Sequence, residues 1–279
     1  MKLKKLIDAL GNGAIFRDMN EQIDNQAAPD MTKVAGGWLT NQTVPLIGCL
    51  QRPKTVEVLS NVYRVDHFMH FHSCDLWVDM IENAPVQPEG VSIQGLMNPI
   101  PENIGSRRIT MFNRAMAKEL ERLFNYVDFR KEREMSDFDS TDFWQGDKNR
   151  RNWEWAGVSP MLRCMAYIAG GQHFTHYDSS FICNDDNYRT LMSFVLYLTT
   201  NQSGATRIIQ DNQGAIPVWD RDHSDWTREA REDEVLFESY PKAGSLLIFD
   251  HRIAHCVQPY LGDNGTRRIV RGDLFFRKV

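Results

Sequence analysis

The sequence predicts a protein of the α+β class, with a double-stranded β-helix (jelly-roll) core and N-terminal helices packed outside it. After Trp153 the chain breaks into short apolar runs, each bounded by Gly, Asn, Asp or Pro, as short strands are. Apolar residues at helical spacing are confined to the first half of the chain. Many short strands with turn signals indicate a sandwich or barrel, and helices segregated from strands are typical of the α+β class.

Two helices are expected in the first half. Residues 62–68 alternate like a strand, and Ser73-Cys74-Asp75 then precedes apolar residues at helical spacing. A second helix is predicted over Met111 to Phe124, where an apolar stripe runs beside charged residues. The Asp-rich stretch 131–151 is predicted to be a loop.

Six strands are expected in the second half. They are predicted within residues 161–170, 172–178, 190–200, 204–210, 244–250 and 267–276. The highly charged segment 219–238 separates two of them and is predicted to be an insertion over the barrel mouth, because so many charges cannot enter a core. Residues 1–60 are hard to interpret and are assigned to an N-terminal extension, with residues 61–279 as the main domain.

Composition excludes several classes of protein. Lys and Arg number 32 against 37 Asp and Glu, a net charge of −5, so the basic excess that general nucleic-acid binding needs is missing. The five cysteines are scattered without a C-x-x-C spacing, which argues against a disulfide framework or a thiolate zinc site and favours a reducing compartment. No run approaches the roughly 18 apolar residues of a membrane span. We therefore expect a cytoplasmic protein.

Three residues form a candidate metal site. His176 and Asp178 are alternate residues of a predicted strand, so their side chains share a face. His255 follows the apolar strand 245–249. Two imidazoles and one carboxylate leave three adjacent octahedral positions open, which is the ligand set of non-haem Fe(II) oxygenases.

Two arginines follow His255 in the sequence. Arg267 and Arg268 stand on the strand after a Gly-rich turn. A planar guanidinium binds a carboxylate through two parallel hydrogen bonds, so one of them could hold the far carboxylate of a dicarboxylate co-substrate.

The order of these motifs resembles a known family. Residues 167–178 follow its Tyr-x-x-Gly-x-x-aromatic-x-x-His-x-Asp run, and residues 241–249 its Pro-x-x-Gly-x-x-x-x-Phe strand. Residues 255–259 and 265–267 are similar to its His-x-x-x-Pro and Gly-x-Arg ending. Over roughly residues 62–276 the chain resembles the Fe(II)- and 2-oxoglutarate-dependent dioxygenases, and within them the prolyl 4-hydroxylase-like branch.

The resemblance implies both cofactors and roles. It implies His176, Asp178 and His255 as ligands of Fe(II), Arg267 as the anchor of 2-oxoglutarate and Tyr167 as a hydroxyl donor to that co-substrate. It also implies O2 as the second co-substrate, with ascorbate as a further candidate. The expected reaction is hydroxylation of an unactivated C–H, with release of succinate and CO2. Related halogenases lack the carboxylate ligand, so Asp178 favours hydroxylation.

Further residues are candidates for binding. Arg268 competes with Arg267 for the co-substrate. His173 replaces the family's usual aromatic residue, Arg271 adds a cation on the face of Arg267, and Trp219 is an aromatic residue of the insertion; these three are predicted to bind the prime substrate. We expect that substrate to be a small molecule or an amino-acid residue, with no nucleic-acid or membrane partner.

Two other functions are compatible with the same residues. One is a catalytically silent jelly-roll protein that binds a ligand in its cavity. The other is a zinc hydrolase that uses His176, Asp178 and His255. Metal content and the need for O2 distinguish these three hypotheses.

Overall fold

The structure is a computed structural model. It describes residues 38–85, 89–90 (backbone only), 105–135, 150–178, 180, 187–213, 216 and 228–279. Within these ranges no helix is long and apolar enough to cross a bilayer.

Two helices and fifteen strands are present in the described residues. The helices are α1 (Phe71–Glu82) and α2 (Arg114–Phe124). The strands are β1 (Trp38–Leu39), β2 (Lys54–Leu59), β3 (Val62–Asp66), β4 (Glu89–Gly90), β5 (Ser106–Phe112), β6 (Glu132–Met135), β7 (Arg151–Val158), β8 (Met161–Tyr167), β9 (His173–His176), β10 (Tyr188–Tyr197), β11 (Thr206–Ile209), β12 (Val235–Ser239), β13 (Leu246–Asp250), β14 (His255–Val257) and β15 (Arg267–Lys278).

The strands form two sheets. The larger has eleven strands, with the main order β1-β5-β8-β15-β10-β13-β3-β2; β4 pairs with β5, and β7 pairs with β15 and β6. The smaller has the order β12-β11-β14-β9. Together they enclose a jelly-roll core, and the predicted fold class is confirmed.

Two apolar cores lie on opposite faces of the larger sheet. The inner core lies between the sheets and includes Tyr167, Tyr197, Ile208, Phe249 and Val257. In the outer core, side chains of α1 and α2 pack against the other face of the larger sheet. Alternation along each strand therefore sends one residue to the helices and the next to the barrel interior.

Both predicted helices form, with different starts. The side chain of His70 accepts a hydrogen bond from the backbone N–H of His72, so α1 begins at Phe71, before the predicted start. Asn113 caps α2 by accepting from the backbone N–H of Met116 at 2.9 Å. The prediction of helix from Met111 is wrong by three residues, because residues up to Phe112 belong to β5 and pair with β8.

All six predicted strands are present, but others were not predicted. One of these is the short β14, which pairs with the predicted β9 at the candidate metal-site edge of the smaller sheet. Strand β6 and the first residue of β7 lie in the stretch predicted to be a loop, where they pair with each other. Strand β2 lies inside the predicted N-terminal extension and pairs with β3 in the larger sheet.

The last residues of the predicted insertion 219–238 form a strand. Residues 219–227 lie outside the described residues. Residues 235–238 belong to β12 and pair with β11, so this part is a strand of the smaller sheet. Its charges are accommodated by pairing at the sheet, since Arg207 of β11 contacts Glu238 at 2.7 Å and Glu232 at 2.9 Å.

Hydrogen bonds to Glu234 connect residues 228–234 of this segment. Its carboxylate accepts two hydrogen bonds from the Arg228 guanidinium, both at 2.9 Å, and one from the backbone N–H of Arg231 at 2.8 Å. Hydrogen bonding from Arg228 lowers the pKa of Glu234 from 4.5 to about 2. Ionisation of Glu234 therefore stabilises the folded state.

We expect Glu234→Gln to lower the free energy of unfolding at pH 7 by about 1.5–3 kcal/mol, the range for hydrogen bonds to a charged group. Because the folded-state pKa is depressed, this stabilisation is present above pH 4.5 and is lost as the pH falls toward 2. Urea denaturation of both proteins at several pH values measures the difference. The exposed Asp233→Asn is the control and should change stability little; a Glu234→Gln difference that does not depend on pH would contradict the prediction.

Candidate active site

The three predicted metal ligands lie together at one edge of the smaller sheet. His176 ends β9 and His255 begins β14, and the two are direct partners across this antiparallel pair. Their ring centroids are 4.2 Å apart. Asp178 follows β9 by two residues, and its Oδ2 lies 3.7 Å from Nε2 of His255. One donor atom from each of the three residues lies within 4.8 Å of the others, which is close enough for one ion.

Hydrogen bonds orient both imidazoles in the same way. Nδ1 of His176 lies 2.7 Å from the carbonyl oxygen of Phe174, and Nδ1 of His255 lies 2.9 Å from that of Ile253. A carbonyl oxygen can only accept, so each Nδ1 carries the hydrogen. Each neutral ring therefore presents an unprotonated Nε2, the form that binds a metal.

Burial keeps these imidazoles neutral. It lowers the pKa of His176, and burial together with the neighbouring His176 lowers the pKa of His255 to about 3. At neutral pH both rings are free of competing protons.

Asp178 is ionised despite its burial. Burial raises its pKa, but the Arg271 guanidinium and the nearby imidazoles outweigh that effect and hold the pKa well below its usual range. The site thus offers two neutral nitrogens and one anionic oxygen, which suits a divalent cation.

Arg267 points into the barrel and is fully buried. Its guanidinium carbon lies 4.6 Å from the Tyr167 ring centroid and 5.9 Å from that of Tyr197. Nη2 donates to Oγ1 of Thr206 at 3.3 Å, whereas Nε and Nη1 have no partner among the described residues. Buried N–H donors without acceptors are costly, so this pocket is suited to an anionic ligand.

Gly204 leaves room for that guanidinium. Its backbone has φ +70°, and a Cβ there would come within 2.9 Å of Cδ of Arg267. The glycine therefore serves both the turn and the close approach of the arginine.

Arg268 points to the opposite face. Its guanidinium pairs with Glu82 at the end of α1, outside the barrel. The structure therefore separates the two candidate anchors, and of the pair it places Arg267 inside. Tyr167 is fully buried against Arg267, as its predicted role requires; the role itself stays a prediction.

The three predicted substrate-binding residues have different positions. The His173 ring centroid lies 4.5 Å from that of His176, beside the metal site. Trp219 lies outside the described residues. Arg271 lies in the barrel but contacts the protein itself: Nη2 is 2.7 Å from Oδ1 of Asp178 and 3.0 Å from Oδ1 of Asp273. The guanidinium bridges two buried carboxylates, so the contacts of Arg271 do not support the prediction that it binds substrate.

Sequence reasoning missed Ser193 and Asp273. Ser193 donates to Oδ2 of Asp178, and Asp273 anchors Arg271. The alternation of β15 was a usable signal for Asp273, since residues 267, 271 and 273 share a face. Ser193 carried no such signal, because its proximity follows from its pairing with Asp273 across β10 and β15.

Part of the chain matches a known protein family. Residues 162–272 match the model of the 2OG-Fe(II) oxygenase superfamily. The matched segment contains all three candidate ligands and Arg267, and the family that it matches is the one predicted from the sequence. The cofactor and co-substrates of that superfamily are Fe(II), 2-oxoglutarate and O2. No match was found among curated proteins.

Several solved structures are similar to the chain. A viral collagen prolyl hydroxylase from Paramecium Bursaria Chlorella virus-1, solved with 2-oxoglutarate, is 15% identical, with 77% of this chain and 96% of that chain covered and a TM-score of 0.40. A Pseudomonas putida prolyl-4-hydroxylase is 17% identical, with 78% and 93% covered and a TM-score of 0.41. HygX from Streptomyces hygroscopicus, solved with nickel and 2-oxoglutarate, is 11% identical, with 78% and 82% covered and a TM-score of 0.46.

The residues present fit the family's cofactors. The histidines and Asp178 supply the nitrogen and oxygen donors that Fe(II) accepts. The two unpartnered N–H groups of Arg267 match a carboxylate end of 2-oxoglutarate in a water-poor pocket.

Proposed function

We propose that this protein hydroxylates an unactivated C–H bond of a small molecule or an amino-acid residue, coupled to decarboxylation of 2-oxoglutarate to succinate and CO2. His176, Asp178 and His255 would hold Fe(II), and Arg267 would hold the distal carboxylate of 2-oxoglutarate. The observation that carries the proposal is the combination of this three-ligand cluster with a buried arginine that has two unpartnered donors.

The chain's own residues bind, orient and exclude water. The Nδ1 hydrogen bonds of both histidines direct their Nε2 atoms to the same point. Arg267 orients the co-substrate by charge and by its planar donor pattern. The apolar inner core keeps bulk water from the reacting groups. Iron and 2-oxoglutarate, when bound, supply the oxidising chemistry.

The alternatives explain fewer of these features. A zinc hydrolase needs no buried arginine with unpartnered donors such as Arg267. A silent binding protein needs neither an ionised ligand nor two imidazoles in the metal-binding tautomer, and a loss of ligands would be expected there. All three ligands are present and adjacent.

The test is a turnover assay with purified protein, Fe(II), 2-oxoglutarate, O2 and ascorbate. Free amino acids, peptides and small metabolites are screened for stimulated succinate release, and each active compound is analysed by mass spectrometry. We expect slow succinate formation without substrate, faster formation with the correct one, and a product heavier by one oxygen atom.

His255→Ala is the control for adventitious iron chemistry. Succinate release no greater than that of His255→Ala with any compound would contradict the proposal. Hydrolysis of a substrate in the presence of Zn(II) and without O2 would instead support the hydrolase.

A further inference from the structure

Asp178 is held on both of its oxygens. Oδ1 accepts from Nη2 of Arg271 at 2.7 Å, and Oδ2 accepts from Oγ of Ser193. Oδ2 also faces Nε2 of His255 at 3.7 Å. The two oxygens therefore differ: Oδ2 is turned to His255, and Oδ1 is turned to a guanidinium.

A second carboxylate, that of Asp273, holds the guanidinium of Arg271. Its Nη2 lies 3.0 Å from Oδ1 of Asp273. The other oxygen of Asp273 pairs with Nη1 of Arg163 at 2.9 Å, and Oδ1 also lies 3.3 Å from Nε2 of His251. The side chains of Asp273 and Arg271 are 5% and 14% exposed, so water competes weakly for these contacts. The position of Arg271 is thus set by other buried groups.

Resting on the proposed metal site, we propose that Arg271 is a positioning residue that keeps Asp178 a ligand through Oδ2 alone. A carboxylate that turned both oxygens to the metal would occupy an additional coordination position. The ligand set is useful to an oxygenase because three positions stay open. By holding Oδ1 in a charge-assisted hydrogen bond, Arg271 prevents this second contact.

Charge and chain position support the assignment. The cluster contains two carboxylates and two guanidiniums, so the formal charges of these four groups sum to zero. They belong to Asp178, Asp273, Arg163 and Arg271. Arg271 and Asp273 are alternate residues of β15, which places both on the inner face. Partners of this kind around metal ligands orient the ligand and tune the metal.

The experiment uses Co(II), whose visible absorption bands depend on the number and arrangement of its ligands. The full chain is loaded with Co(II) as wild type, Arg271→Met, Arg271→Lys and Arg277→Met. Arg277 is the matched control, an arginine of the same strand whose partner is Glu154 at the surface. We expect the bands of Arg271→Met to shift, those of Arg277→Met to superimpose on wild type, and those of Arg271→Lys to move back toward wild type.

The lysine variant separates positioning from packing. Its ammonium offers N–H donors and a charge, whereas methionine fills the space without either. Wild-type bands in Arg271→Met, or equal shifts in Arg271→Met and Arg271→Lys, would overturn the proposal. If Arg271→Met does not fold, Asp273→Asn is used instead, because it keeps Arg271 but weakens the contact that holds it. A shift of the Co(II) bands in Asp273→Asn, smaller than that expected for Arg271→Met, supports the proposal. Unchanged bands overturn it.

Failure of the metal site itself gives a different result. Wild-type protein that does not bind about one Co(II) per chain, or undiminished binding by His176→Ala, would refute the site. Stoichiometric wild-type binding with unchanged bands in Arg271→Met would refute only the role of Arg271.

Discussion

Replacing His176, Asp178 or His255 by alanine is expected to reduce Fe(II)-dependent succinate formation at least about a hundredfold. Loss of one of three protein ligands weakens metal binding and rearranges the remaining coordination positions. Mutating a residue that only hydrogen-bonds to a metal ligand typically lowers metal affinity or activity ten- to a hundredfold. Replacing a ligand itself should therefore have a larger effect. Succinate formation and bound iron per chain are measured on the same preparations.

His72→Ala is the control for these three variants. His72 is exposed on α1, far along the chain from the site, and only its backbone N–H takes part in the helix cap. This variant should keep wild-type activity and iron content. Full activity in any of the three ligand variants would refute the assignment of that ligand.

Arg267→Ala is expected to raise the KM for 2-oxoglutarate about ten- to a hundredfold. A charge-assisted contact is worth roughly 1.5–3 kcal/mol, which corresponds to this range. The guanidinium is fully buried, and its Nε and Nη1 have no partner among the described residues, so both are available to a carboxylate. Succinate formation as a function of 2-oxoglutarate concentration measures the effect.

Arg268→Ala is the matched comparison. It removes the neighbouring arginine, which pairs with Glu82 on the helix face of the sheet. We expect a KM within about twofold of wild type and a stability change of at most about 1 kcal/mol, as for other surface ion pairs. The reverse ranking of the two variants would move the anchor to Arg268, and negligible effects of both would remove the co-substrate claim.

Much of the fold could be predicted because its signals are local. Alternating apolar residues and turn residues mark β8, β10, β13 and β15, and helical spacing marks α1 and α2. Strand β12 escaped prediction because its charged neighbours resemble a solvated loop. Those charges are tolerated because Arg207 of β11 pairs with Glu238 and Arg228 of the same segment pairs with Glu234.

The site was predictable in part for the same reason. His176 and Asp178 are two residues apart on a strand, so their shared face follows from the chain alone. The approach of His255 to His176, 79 positions earlier in the chain, depends on the pairing of β14 with β9. Only the resemblance to a family could suggest that pairing in advance.

By itself the sequence indicated the residue types of the candidate metal site, the family that residues 162–272 match, and the fact that Arg267 and Arg268 face opposite sides of one strand. Only the tertiary structure decided which side is inside, because that depends on which face of the larger sheet the two helices cover. It also showed that Arg271 contacts Asp178, since the two residues meet only when the strands are assembled. Local periodicity is set by backbone geometry, whereas partners between distant segments are set by sheet register and packing.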